Sequence, residues 1–122
     1  MAKMKCLLII LFLLMGCQSE NSIINPGVSW ALAQNRKAII SDVRYKLKFD
    51  IPKDKIKPIA VEEFIDFKLS DLTNDVVLDF RQRADYIHSV TIKNKPVPYK
   101  VENQHIVIDA SYFSKGQNSI FI

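Results

Sequence analysis

The sequence predicts a mostly β domain: an antiparallel β-sandwich or saddle-like sheet assembly, preceded by a short helix and an N-terminal signal peptide. Three observations predict it. Val43, Tyr45, Leu47, Phe49 and Ile51 alternate with Arg44, Lys46, Lys48 and Asp50, the period of a strand with one wet face. After Pro52, turn-forming clusters separate a succession of short apolar runs. The first 16 residues hold 13 apolar ones, against 46 of the remaining 106, so a distinct leader precedes a chain of ordinary globular composition. The remainder is long enough for one small domain and too short for two.

Residues 1–16 read as a lipoprotein signal peptide. Lys3 and Lys5 supply the positive start, and Leu7 to Met15 is an unbroken apolar run. That run falls well short of the roughly 20 residues a helix needs to cross a bilayer. It ends in Leu14-Met15-Gly16-Cys17, which resembles a lipobox: a small residue stands before a Cys whose thiol takes a diacylglyceryl group, and cleavage follows at Gly16–Cys17. Cys17 is therefore the expected lipidation site, and acyl chains there would anchor the protein to a membrane in the bacterial cell envelope, outside the cytoplasm. Cys6 leaves with the leader and Cys17 is blocked, so no thiol remains for a disulfide, a metal or a nucleophile. Residues 17–28 are polar with a Pro26-Gly27 break and read as a tether.

The domain proper is assigned to 29–122. Ser29 is a good N-cap for a helix from Trp30 to Ile40, with Arg36 and Lys37 suited to its later turns. Trp30 is expected to pack its ring on the body of the domain. The alternating strand follows. Its apolar set of Tyr45, Leu47 and Phe49 is expected to join Ile65, Phe67, Leu78, Ile92 and Ile106 in the core. The next strand, about Ile59 to Leu69, carries Glu63 on its apolar face, read as a rim position or a bulge. Val76 to Phe80 and Tyr86 to Lys93 read as further strands. Asn94-Lys95 opens a tight turn, and Pro96 and Pro98 place Val97 to Val101 at a sheet edge. Glu102-Asn103-Gln104 turns into a strand from His105 to Asp109, Ser111 to Ser114 form a short turn, and Gly116-Gln117-Asn118 leads into Ile120-Phe121-Ile122. An apolar strand at the end of the chain reads as an interrupted domain, incomplete at its C-terminus.

Charge is mild. Without Lys3 and Lys5 the chain has 15 basic and 13 acidic residues, which argues against a nucleic-acid partner. Arg44, Lys46, Lys48, Lys53, Lys55 and Lys57 are interleaved with Asp42, Asp50 and Asp54 and read as a solvated face and loop. The sharper reading is an electrostatic contact with anionic lipid headgroups.

No catalytic, cofactor-binding or metal-binding residue can be nominated. His88 and His105 lack a helical His partner at four-residue spacing and read as partly exposed strand residues. The three glycines make no phosphate loop, no Gly-x-Ser-x-Gly elbow occurs, and the carboxylates are scattered.

Several stretches carry a resemblance. They are Gly27-Val28-Ser29 with Leu32-Ala33 and Arg36, Ile40 to Leu47, Leu78-Asp79-Phe80, Ser89-Val90-Thr91-Ile92 with Asn94, His105 to Ile108, and Gly116 to Ile120. In order and spacing they are similar to the N-terminal β domain of the M1 family of zinc aminopeptidases, the aminopeptidase N-like gluzincins, in a bacterial lipoprotein form. In that family the zinc motif His-Glu-x-x-His and the Gly-x-Met-Glu-Asn element lie further along the chain, and neither occurs here. The resemblance implies a non-catalytic N-terminal fragment of a membrane-anchored zinc metallo-aminopeptidase. The parent's reaction would release N-terminal amino acids from peptides. The expected partners are the membrane, through lipid on Cys17, and the parent's catalytic domain. Zinc belongs to the full-length family, with no cofactor in this chain, which is expected to be inactive alone. The alternative is a stand-alone β-sandwich envelope lipoprotein acting as a binding module.

Overall fold

The computed structural model describes residues 23–122. The signal peptide, Cys17 and the first part of the expected tether lie outside the described residues. The described chain is mostly β, with one short helix and two antiparallel sheets, as the alternation and turn signals predict.

Helix α1 spans Trp30–Ile39. Ser29 caps it: its Oγ accepts from the Leu32 N–H at 3.1 Å and donates to the Ile23 carbonyl at 3.0 Å. Only Leu32 is fully buried on the helix, so α1 touches the body along one narrow stripe. Trp30 lies off that stripe and is 79% exposed, contrary to the packing expected of it.

The strands are β1 Ile40–Asp50, β2 Ala60–Leu69, β3 Val76–Asp79, β4 Thr91–Ile92, β5 Lys95–Pro96, β6 Lys100–Glu102, β7 His105–Ile108 and β8 Gly116–Phe121. The larger sheet runs β1-β2-β8-β4-β5 and the smaller one β3-β7-β6. Ala84–Tyr86 and Ala110–Tyr112 are single 3-10 turns. The expected strand from Tyr86 to Lys93 thus shrinks to two residues. Ile87, Val90 and Ile92 are all buried, but their spacing of three and then two does not suit one continuous strand. Pro96 sits in the edge strand β5, and β6 is the edge of the other sheet. Lys93-Asn94 and Asn103-Gln104 turn their hairpins with positive φ.

One bulge governs the register of the larger sheet. Ser41 opposes Lys68 and Arg44 opposes Asp66, so β1 carries one residue more than β2 in that interval. Asp42 takes φ 53° there, and its carboxylate pairs with Lys68 at 2.6 Å. The extra residue lets Ile40 and the odd-numbered set from Val43 onward share the inner face. Glu63 needs no bulge. It exchanges backbone hydrogen bonds of 3.0 and 2.9 Å with Ile122, which extends the β2–β8 ladder.

The main core lies between the sheets. Ile65, Phe67 and Leu69 of β2, Ile120 of β8 and Ile92 of β4 meet Val76, Ile106 and Ile108 of β3 and β7, with Val90 and Phe113 filling in. Leu32, Val77 and Val107 form a second cluster on the outer face of the smaller sheet, joined by Ile23 and Ile24. Residues 23–28, the end of the stretch read as a tether, therefore lie against the domain. All four residues of β7 are buried because this strand is covered on both sides.

The first strand departs from expectation. Tyr45 is 63% and Phe49 57% exposed, and Leu47 is exposed with them. They do face inward: Tyr45 opposes Ile65, Leu47 opposes Glu63 and Phe49 opposes Val61. The smaller sheet simply ends too soon. Its edge strand β3 packs over β2, and no strand among the described residues lies over β1. The period-two pattern fixes which side of a strand is apolar. It does not show that a second layer reaches that far.

Candidate functional site

Two polar constructions border the uncovered region. The first clasps helix to sheet. Arg36 lies one turn after Leu32 on α1, which aims it at the end of β3. Its Nη2 donates to Asp79 Oδ1 at 2.8 Å and to the Val77 carbonyl at 2.8 Å, and Nη1 donates to Oδ2 at 3.2 Å. This fork holds the Asp79 carboxyl below the ordinary carboxylate range. Asp79 stands directly opposite His105 across β3 and β7. His105 is 1% exposed, not the partly exposed strand residue expected. Its Nε2 faces two acceptors, the carbonyls of Asn25 at 3.0 Å and Gly27 at 2.9 Å, so it donates there. Its Nδ1 lies 3.2 Å from Asp79 Oδ1, within ion-pair reach but off the line of a hydrogen bond. His105 thus ties the incoming segment to the sheet. Nothing in the local sequence signals this, because the carbonyls that bury it are about eighty positions away. His88 is exposed but lies outside the strands, between the Ala84–Tyr86 turn and β4, not in the strand expected.

The second construction is a cleft of about 230 Å³ between β1–β2 and the β3 edge. Ile40, Val43, Tyr45, Ile65 and Phe67 form one apolar wall, and Val76 to Asp79 with Arg36 form the other. Glu63 stands on the apolar wall, within the sheet between Leu47 and Ile122 rather than at the sheet rim where it was expected. Desolvation raises its carboxyl above the ordinary value. Arg36 is already engaged by Asp79, so Glu63 is the charge that the cleft offers to an incoming group. Beyond the cleft the apolar face continues along Leu47, Phe49 and Val61 toward the β1–β2 turn.

A protein-binding seat is what this arrangement offers chemically: an apolar strip with one desolvated carboxylate at its inner end. Among the described residues, no three His, Cys, Asp or Glu side chains gather where they could hold a metal ion. Cys17, the one nominated modification site, lies outside the described residues. Among the described residues no helix is long and apolar enough to cross a membrane.

The stretches that carry the family resemblance include β1, the end of β3, β7 and β8, and their side chains here do structural work. Asn118 is the clearest case. It is buried in β8, where its amide donates to the Ser114 carbonyl at 2.7 Å and the Gly116 carbonyl at 2.9 Å, and its oxygen accepts from the Ser114 N–H at 3.0 Å. Gly116, at φ 91°, gives the loop the left-handed turn it needs. Compared with known proteins, the chain matches no family model, no curated protein and no solved structure.

Proposed function

We propose that this chain is a non-catalytic docking domain: the N-terminal β domain of a membrane-anchored zinc metallo-aminopeptidase of the M1 type, carried in the bacterial envelope by lipid on Cys17. Its task is to seat the catalytic domain of the parent protein on the inner face of β1 and β2. One observation carries the reading. Val43, Tyr45, Leu47, Phe49 and Val61 form a contiguous exposed apolar strip on a single sheet face. Soluble domains seldom leave such a strip to water, and where they do it marks an interaction surface.

Three further points support it. The strip begins at the cleft, so a docking partner gains a pocket as well as a flat surface. Glu63 gives that partner a register, since a basic side chain reaching the cleft would relieve its desolvation. The order and spacing of the stretches that resemble the M1 family also support it, since in that family the corresponding domain stands beside a catalytic one. Zinc and the peptide-cleaving groups would come from the partner domain, and no step of that reaction is assigned to residues of this chain.

Reading the coding sequence downstream of the Ile122 codon tests this directly. The proposal expects a continuation carrying His-Glu-x-x-His, in frame or beyond a stop or frameshift. An unrelated gene immediately downstream would overturn it in favour of a stand-alone binding module.

A further inference from the structure

The turn joining β1 to β2 carries a different surface. Ile56 is 92% exposed, and Ile51 and Ile59 are exposed beside it. Pro52 and Pro58 bracket the loop and restrict its backbone. Asp54 sets its tip: the Asp54 carboxylate accepts from the Ile56 N–H at 3.0 Å, and the Asp54 carbonyl accepts from the Lys57 N–H at 3.2 Å. Ile56 is thus held outward by a defined turn. Lys53, Lys55 and Lys57 surround it, and none forms an ion pair among the described residues. Lys48, nearer the sheet, is already paired with Glu62 at 3.2 Å.

We propose that this tip is a second membrane contact, with Ile56 entering the headgroup region of an anionic phospholipid bilayer and Lys53, Lys55 and Lys57 meeting the lipid phosphates. The chemistry chooses the partner. Lysine is depleted from protein–protein interfaces, whereas long basic side chains around an apolar anchor suit a lipid surface, where their stems lie against acyl chains and their ammonium groups stay wet. With Lys48 neutralised by Glu62, the tip holds three lysines against two acids, Asp50 and Asp54, a net charge of +1. Three lysines near an anionic surface favour it over a neutral one by at most roughly 100-fold in partitioning, which Asp50 and Asp54 reduce. The tip stands at the far end of β1–β2 from the cleft, so its contact is separate from the domain seat proposed above.

A local reporter tests this in the full chain, because an anchor elsewhere in the protein does not alter what one position senses. Trp30→Phe combined with Ile56→Trp leaves a single tryptophan at the tip. Both positions are exposed, and far-ultraviolet circular dichroism checks that the fold is kept. On vesicles with about a third phosphatidylglycerol, its emission should shift to the blue and lose most acrylamide quenching. Both effects should be weak on pure phosphatidylcholine and lost when Lys53, Lys55 and Lys57 are changed to Gln. His88→Trp in the same Trp30→Phe background should not respond. Unchanged emission at position 56, an equal response on neutral vesicles, or an equal response at position 88 would overturn the proposal.

Discussion

Asn118 directs its amide at the Ser114–Gly116 loop, so its replacement removes partners from several backbone groups at once. Asn118→Ala should cost about 1–3 kcal/mol in urea unfolding, and an unchanged midpoint would show that water satisfies the loop equally well. The two shifted carboxyls near the cleft give opposite pH signatures. Asp79 is held below its unfolded value of 3.8, so the Arg36 clasp contributes fully above that pH and is lost as pH falls through the lowered value. Glu63 is raised above 4.5, so its ionisation opposes folding, and stability declines as pH rises from 4.5 through the raised value. Asp79→Asn should therefore lower stability at neutral pH and flatten the acid limb. Glu63→Gln should remove the decline above 4.5. An unchanged acid limb in Asp79→Asn, or a decline above 4.5 that persists in Glu63→Gln, would contradict the respective assignment.

Among the elements, β1 separates two things that a sequence pattern tends to merge. Alternation from Val43 to Ile51 identifies the strand and its apolar side, and the register confirms both. Burial depends on what lies across from that side, and β3 is the last strand of the smaller sheet. Phe67 of β2, under β3 and beside Phe113 at 5.9 Å between ring centroids, is core, whereas Phe49 is not. Phe67→Ala should cost about 3–5 kcal/mol, while Phe49→Ala should stay within about 0.5 kcal/mol in thermal unfolding of the chain alone. Equal losses would place a covering layer over β1. Helix α1, its Ser29 cap and the turns at Asn94 and Asn103 are legible in local residue chemistry. The Asp42 bulge, the Arg36–Asp79 fork and the burial of His105 are not, because each depends on pairing between segments far apart in sequence. Of the cleft, only Glu63 stands out in the sequence, as a charge interrupting an apolar face.

At the scale of the whole molecule, the proposed function divides labour between a lipid anchor, a β domain that orients, and a catalytic domain that the β domain receives. Cys17→Ser should abolish incorporation of labelled palmitate, and a variant that still took up label would remove the anchor from the account. The purified chain should neither hydrolyse amino-acid arylamides nor retain stoichiometric zinc after dialysis. One zinc per chain, with activity lost on chelation, would require a site that the described residues do not form. The central claim is that the inner face of β1 and β2 seats a catalytic domain. Its most direct test is a photo-reactive phenylalanine analogue at Leu47, irradiated in the native cell and followed by mass spectrometry of the adduct. The account predicts cross-links to a polypeptide carrying His-Glu-x-x-His, and none from the same group at the exposed His88. Cross-links from Leu47 only to unrelated chains, or none at all, would contradict it.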